Sequence, residues 1–230
     1  MKGAFTCTSG VDHLPTAERV AIVGAGTSLN GADLSVLDSY DATVGLGRSA
    51  VVWMTSYLVV DNPATVPFIA NTVTRAGGTE RVTVLSTDAL SYWQSLVLKN
   101  RRGLVLADML REVTTVWSYK RGAVAPLTTG TLGVGLAFAR LLQAKRVDLY
   151  GVDCYRTANQ RTAGVQDSEP PPHNMKSTST PGVFIEAKQQ ERIDGLNQHR
   201  DSLVGDMLVT NTNGLSSLQC FSVVNRSSPT

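Results

Sequence analysis

The sequence predicts an α/β protein with three layers, in which a mostly parallel sheet carries helices on both faces. Short apolar runs of strand length, such as residues 19–23 (RVAIV), recur along the chain and are bounded by turn residues. Segments with a helical pattern lie between them, as at residues 130–143. Because parallel neighbours need a crossover connection, which is usually a helix, this alternation favours a parallel sheet covered by helices.

Length and composition place this sheet in one domain. The chain has 230 residues, of which 42% are hydrophobic and 17% charged, enough for one full-sized core. We expect residues 1–18 to form an irregular leader and residues 19–230 to form the domain. The formal net charge of +2 is small and the basic residues are scattered, so charge alone gives no reason to expect nucleic acid as a partner.

Cysteine use and hydropathy indicate the compartment. Cys7, Cys154 and Cys220 lie far apart and have neither the spacing of a disulfide framework nor that of a metal site. No apolar run reaches the roughly 18 residues of a membrane span, and the first residues lack the pattern of a signal peptide. We therefore expect a protein of the reducing cytoplasm without a membrane span.

The first half of the domain supplies four predicted strands. Residues 19–23 form a buried strand that leads into a glycine turn, and further strands are expected at residues 42–46, 57–60 and 81–85. Residues 49–54 are apolar and suit either a helix or a strand.

Two helices and two short strands are expected among the residues that follow. One helix is expected over residues 65–75, and another runs from a cap at Thr87 or Asp88 toward residue 99. Short strand candidates lie at residues 104–106 and 114–117.

The second half alternates in the same way around a long polar loop. Residues 130–143 are apolar on most of the circumference of a helix, which indicates a buried helix, and a strand is expected at residues 147–152. Residues 156–182, rich in Thr, Asn, Gln, Ser and Pro, predict a long loop of the kind that often carries a site. Together the elements predict a Rossmann-like sheet. The remaining expected elements are a charged helix at 184–201, a strand at 207–209 and an apolar tail at 218–224.

The glycine turn after the first buried strand is a candidate phosphate site. Gly24 and Gly26 would let backbone amides face an anion, and the hydroxyls of Thr27 and Ser28 would add donors. The alternative is a tight turn with no ligand. Leu29 stands where the dinucleotide fingerprint would place its third glycine, which weighs against a nicotinamide or flavin cofactor.

Two further groups of residues have the chemistry of a binding site. Thr128, Thr129 and Gly130 begin the buried helix, where hydroxyls can cap free amides and where amides and the helix dipole attract an anion. An ordinary helix cap is the alternative. Asp153 follows a strand and could position ribose or acceptor hydroxyls, or could cap the next turn.

Taken in order, these stretches resemble the sialyltransferase families, in particular the soluble bacterial and animal-type enzymes with one α/β domain. Residues 20–29 (VAIVGAGTSL) are similar to the strand and small-residue turn of that group. Residues 128–130 (TTG), which open an apolar helix, and residues 149–153 (LYGVD), which end a strand, are similar to a second motif. A histidine then precedes a charged helix, here His173. Residues 209–221 (VTNTNGLSSLQCF) resemble the family's final strand, turn and tail.

The resemblance implies a sialyltransferase-like fold and a specific reaction. A nine-carbon acidic sugar would pass with inversion from a CMP-activated donor to a hydroxyl of a glycan acceptor, with no metal and no other cofactor. His173 would be the catalytic base, because imidazole titrates near neutral pH and can take the proton of a hydroxyl. A solvated loop histidine is the alternative. Glu186 or Glu191 would orient the base or would face solvent.

The resemblance also assigns the donor-binding residues, with two departures from the family pattern. Family members commonly carry Asn in the first turn, where this chain has Ala25, and a second Asn after the second strand, where this chain has Arg48. A guanidinium at position 48 could contact a phosphate with its charge. The implied donor-binding set is Gly24, Gly26, Thr27, Ser28, Arg48, Thr128, Thr129, Gly130 and Asp153.

Other functions stay open at this point. The two departures favour a catalytically degenerate descendant that keeps the fold as a nucleotide-binding or structural interaction protein. A Rossmann-type enzyme that uses nicotinamide or S-adenosylmethionine is a third alternative, weakened by Leu29 and by the lack of an acidic residue at the end of the second strand. Self-association into a homo-oligomer is compatible with all three.

Overall fold

A computed structural model of the chain describes residues 5–7, 14–29, 32–47, 49, 53, 55–61, 82–86, 88–91, 115–153, 181–212, 218 and 220–223. Within these residues nine strands form a single sheet. The strands are β1 (Phe5–Cys7), β2 (Arg19–Val23), β3 (Ala42–Leu46), β4 (Tyr57–Val60), β5 (Val82–Ser86), β6 (Thr115–Tyr119), β7 (Arg146–Tyr150), β8 (Leu208–Asn211) and β9 (Ser222–Val223).

The sheet is parallel except at one edge. Its order is β1-β6-β5-β4-β3-β2-β7-β8-β9, and only the pair formed by β1 and β6 is antiparallel among the described pairs. In the centre, Val20 of β2 pairs with Ala42 on one side and with Val147 on the other. The predicted α/β class with a mostly parallel sheet is therefore confirmed.

The strand order reverses direction at β2. From β2 the chain builds the sheet outward through β3, β4, β5 and β6, and it then returns to place β7 on the opposite side of β2. The loops that follow β2 and β7 leave the same edge of the sheet from neighbouring strands. In open α/β sheets, ligands bind at such a reversal, outside the carboxyl ends of the strands.

Both faces of β2 are buried, as its continuous apolar sequence requires. Val20 and Ile22 pack in a cluster with the helices α1 (Gly130–Leu141) and α2 (Pro181–Val204). Ala21 and Val23 pack on the other face. We call the first surface the helical face of the sheet. In the described residues the second surface is covered by the 3-10 segment Leu34–Ser39 rather than by an α-helix, and we call it the 3-10 face.

Gly135 and Phe138 lie where α1 packs on the sheet. A Cβ on Gly135 would approach Leu46 Cδ2 of β3 to 2.8 Å, so a side chain there would require Leu46 or the helix to move. Gly133 faces the turn before the helix instead, where a Cβ would overlap the side chain of Thr129. Phe138 is fully buried, and its ring packs against those of Phe5 and Tyr57, with centroid distances of 5.5 and 5.2 Å.

The predicted strands at 19–23, 42–46 and 57–60 are confirmed residue for residue, and α1 begins at the predicted position. The irregular leader is wrong in part, because Phe5–Cys7 forms an edge strand anchored by Phe5 against Tyr119 and Phe138.

Two other boundaries also differ from the prediction. The helix α2 begins at Pro181, inside the predicted loop 156–182, and proline is well suited to a first helical turn. The helical turn at residues 88–91 has a cap at Ser86, whose hydroxyl accepts from the amide of Ala89 at 3.1 Å. Thr87, one of the two predicted caps, lies outside the described residues. The predicted elements at 65–75 and 104–106 lie outside the described residues.

Within the part of the chain that the structure describes, no helix combines the length and the apolar composition needed to cross a bilayer.

We expect Phe138→Ala to lower the free energy of unfolding by about 3–5 kcal/mol, because it removes a buried ring at the joint between α1 and the sheet. Leu127→Ala is the control, since that side chain is 69% exposed and should contribute less than about 0.5 kcal/mol. Denaturant unfolding of both variants makes the measurement. Equal, small effects would show that α1 does not pack as described.

Candidate functional site

The turn after β2 and the loop after β7 are joined by backbone hydrogen bonds. The amide of Gly24 donates to the carbonyl of Tyr150 at 2.7 Å, and the amide of Gly26 donates to the carbonyl of Gly151 at 2.8 Å. We call this joint the β2/β7 seam. A Cβ on Gly24 would lie 2.3 Å from the carbonyl oxygen of Gly151, so the close approach of the two loops requires glycine there.

Ser28 and Asp153 close the outer end of the seam. The Asp153 carboxylate accepts from the amide of Ser28 at 2.9 Å and from its hydroxyl. A Cβ on Gly26 would lie 2.3 Å from the same carboxylate. A phosphate cradle would present the amides of Gly24, Gly26 and Ser28 to its ligand. Here all three amides donate instead to acceptors at the end of β7 and in the loop that follows it. A phosphate could reach the Ser28 amide only by displacing the Asp153 carboxylate.

A cavity of about 290 Å³ lies beside the seam, at the carboxyl ends of β2, β7 and β8. Leu29 and Tyr150 in its wall belong to the cluster on the 3-10 face, so the cavity opens on that side of the sheet. We call it the switch-point pocket. Its lining residues are Ser28, Leu29, Ala32, Asp33, Tyr150, Gly151 and Thr212.

The pocket carries negative charge. Asp33 Oδ1 accepts from the hydroxyl of Ser35 at 2.7 Å and from its amide at 3.0 Å. These two bonds, the hydroxyl first, lower the pKa of Asp33, so it is a carboxylate at neutral pH. No described lining residue is Lys, Arg or His. The pocket therefore disfavours anions.

A polar network around the buried Asp148 holds the tyrosine of the pocket wall. The hydroxyl of Tyr40 donates to Asp148 Oδ2 at 2.6 Å and lies 2.9 Å from the hydroxyl of Tyr150. Arg146 Nε donates to the same carboxylate at 3.1 Å, which provides the charge that a buried Asp148 requires. Burial, followed by the bond to Asp148, raises the pKa of Tyr40, so this phenol stays protonated.

The residues at the start of α1 form a packing joint between the two helices. Gly130 has φ of +60°, a conformation that favours glycine. Arg192 of α2 packs over it, and a Cβ on Gly195 would meet the Thr128 hydroxyl at 2.6 Å. The expected hydroxyl cap is wrong for Thr129, since no side chain caps α1 and the Thr129 hydroxyl donates to the carbonyl of Pro126 at 2.7 Å.

The structure thus separates the described donor-binding candidates into two groups. Gly24, Gly26, Ser28 and Asp153 meet at the β2/β7 seam, beside the switch-point pocket. Thr128, Thr129 and Gly130 belong to the helical face, since α1 packs on the opposite surface of the sheet from the pocket. No described contact joins the two groups directly.

The structure gives less information on the other predicted site residues. Thr27 begins the 3-10 turn Thr27–Leu29 that follows the glycines. Arg48 and His173 lie outside the described residues, as does the side chain of Glu186. Glu191 is exposed on α2.

The sequence did not predict three polar residues of the pocket wall, which are Asp33, Tyr150 and Thr212. A local signal existed for Asp33, because Asp followed two residues later by Ser is typical of a residue that caps a turn. For Tyr150 the signal was the alternation of Asp148 and Tyr150 with apolar residues in β7, which places both on the same face of the sheet.

A second polar cluster ties the carboxyl ends of β4, β5 and β6 together. The Asp61 carboxylate accepts from the hydroxyl of Tyr119 at 3.0 Å and from Arg121 through two bonds of 3.0 and 2.8 Å. Its backbone carbonyl accepts from the hydroxyl of Ser86 at 2.9 Å. With its charges paired, this cluster braces three strand ends. Among the described residues, no group of three or more His, Cys, Asp or Glu side chains could hold a metal ion.

Comparison with known proteins adds no family assignment. No protein-family model matches the chain, and a search of the curated proteins finds no match. The resemblance to sialyltransferases therefore stays a prediction from the sequence motifs alone.

We expect Gly26→Ala to lower the free energy of unfolding by about 3 kcal/mol, because the added methyl group would overlap Asp153 and the carbonyl of Gly151. Gly47→Ala is the control for an added methyl group that overlaps nothing. The φ of +54° at Gly47 disfavours alanine, a backbone cost that Gly26 does not carry, but the added Cβ would meet nothing within 4 Å, so the total cost should stay near 1 kcal/mol. Urea unfolding compares the two, and equal losses would argue against a close seam.

Proposed function

We propose that the protein is a metal-independent, inverting glycosyltransferase resembling the sialyltransferases, with its donor site at the β2/β7 seam. The supporting observation is the meeting of two family-like motifs at one point. Ser28 in the first motif and Asp153 in the second are 125 residues apart in the chain and hydrogen-bond directly. They do so where the strand order reverses, which is where α/β sheets bind nucleotides.

The proposed reaction balances without a metal. The acceptor oxygen forms a bond to the anomeric carbon of the donor sugar, and the bond from that carbon to the phosphate oxygen breaks. The leaving CMP takes the bonding electron pair, and the acceptor proton passes to His173. The residues around His173 connect Asp153, at the seam, to Pro181, at the start of α2.

A second candidate is favoured by a specific contact. Because the Asp153 carboxylate already takes the donors of Ser28, the glycine turn can be stable without any phosphate. Ala25 in place of the family Asn is compatible with the same interpretation. In this alternative the protein keeps the fold as a nucleotide-binding or structural interaction protein and transfers no sugar.

Titration calorimetry with nucleotides should separate these functions. We expect CMP to bind, and UDP, nicotinamide dinucleotide and S-adenosylmethionine to bind at least tenfold more weakly, because a CMP-sugar enzyme must recognise the cytidine group. Hydrolysis or transfer from a CMP-activated sugar is then measured for the CMP-binding protein. Failure of all four ligands to bind would leave the structural role as the remaining function.

His173→Ala should remove transfer while leaving CMP affinity within about twofold, because the base acts on the acceptor proton and not on the nucleotide. Loss of a general base typically costs about 10²–10⁴ in rate. His199→Ala on α2 is the matched control and should retain the wild-type rate. A fully active His173→Ala protein would exclude this histidine from the mechanism.

A further inference from the structure

The side chains that line the switch-point pocket share one hydrogen-bonding character. The hydroxyl of Thr212 donates to the carbonyl of Leu149 at 2.7 Å, and the hydroxyl of Ser28 donates to Asp153. The proton of each hydroxyl is thus used inside the protein, and its oxygen is left as an acceptor.

The third hydroxyl of the wall follows the same rule. Tyr40 gives its proton to Asp148, so the proton between the two phenols comes from Tyr150. Asp33 has no proton to give, and its Oδ1 already accepts the two bonds from Ser35 while no described bond is made to Oδ2. The side chains of the wall therefore offer acceptors and a negative charge, without a described donor of their own.

A wall of acceptors with a negative charge favours ligands that donate hydrogen bonds and carry no negative charge. Phosphate oxygens are acceptors and anionic, so they match neither the hydrogen-bonding character nor the charge of the pocket. Sugar hydroxyls are neutral donors and match both. At about 290 Å³, the pocket is also at the small end of ligand sites, roughly 300–1,000 Å³, and suits one part of a nucleotide sugar rather than the whole.

Resting on the proposed function, we propose that the switch-point pocket binds the ribose of the donor nucleotide and that Asp33 accepts a hydrogen bond from a ribose hydroxyl. The phosphate then lies outside the pocket, away from Asp33. This assigns a specificity role to a residue outside the two family-like motifs. It also makes the nucleoside, without its phosphate, a ligand of the site.

The test compares cytidine with 2′,3′-dideoxycytidine by calorimetry on the full chain. We expect the wild type to bind cytidine about tenfold more tightly, the usual effect of a hydrogen bond to a charged group. Asp33→Asn should lose most of that preference. The asparagine keeps an oxygen for the two bonds from Ser35 but presents an NH2 group where the ribose needs an acceptor.

Asp38→Asn provides the matched control, because Asp38 is exposed on the same 3-10 segment and does not line the pocket. It should keep the full preference for ribose. If Asp33→Asn acted only through the structure, it would weaken the binding of both nucleosides equally. Loss of the proposed contact would weaken the binding of cytidine alone. Unchanged preference in Asp33→Asn, or equal binding of both nucleosides by the wild type, would overturn the proposal.

Further measurements have different outcomes for this inference and for the proposed function. If CMP is bound and its activated sugar is turned over while cytidine fails to bind, the pocket is not the ribose site and the transferase proposal stands. If the ribose preference depends on Asp33 but no sugar is transferred, the pocket is supported and the transferase is not. Displacement of cytidine by methyl galactoside would assign the pocket to a sugar acceptor and overturn the ribose assignment.

Discussion

Three backbone amides and one hydroxyl join the turn after β2 to the loop after β7, and the geometry of this edge of the sheet depends on them. They bring Asp153 against the glycine turn, beside the switch-point pocket. A bound anion commonly fills such a turn, but here a carboxylate of the chain itself takes the Ser28 amide. The same bonds explain why Gly24 and Gly26 have no side chains.

The Asp153 carboxylate also defines the difference between the two candidate functions. A transferase must bring a phosphate near this edge, and like charges repel unless donors are shared or a cation compensates. A non-catalytic descendant needs only the closed seam. The polar network under Tyr150 is compatible with either function. It holds the wall of the pocket through Tyr40, which donates to the buried Asp148, and the exposed Arg146 pairs with that carboxylate.

Much of the fold could be predicted, because its signals are local. The strands at 19–23, 42–46 and 57–60 are apolar runs bounded by turn residues, which is how buried parallel strands look in sequence. The edge strand at Phe5–Cys7 could not be, because its pairing with β6 is set by residues more than 100 positions away. The pocket side of the site was missed for a similar reason, since Asp33, Tyr150 and Thr212 come together only when β2, β7 and β8 align.

The strand order has a consequence for how the chain folds during synthesis. β2 is an interior strand with β3 on one side and β7 on the other, so Val20 gains its second partner only after Val147 has been synthesised. During synthesis the first half of the sheet can assemble from β2 to β6 while one side of β2 still lacks its partner. An unpaired strand side of this kind attracts other chains. A nascent chain halted before β7 would thus expose one side of the apolar strand β2, and pairing of that side with another chain would compete with folding until Arg146–Tyr150 is made.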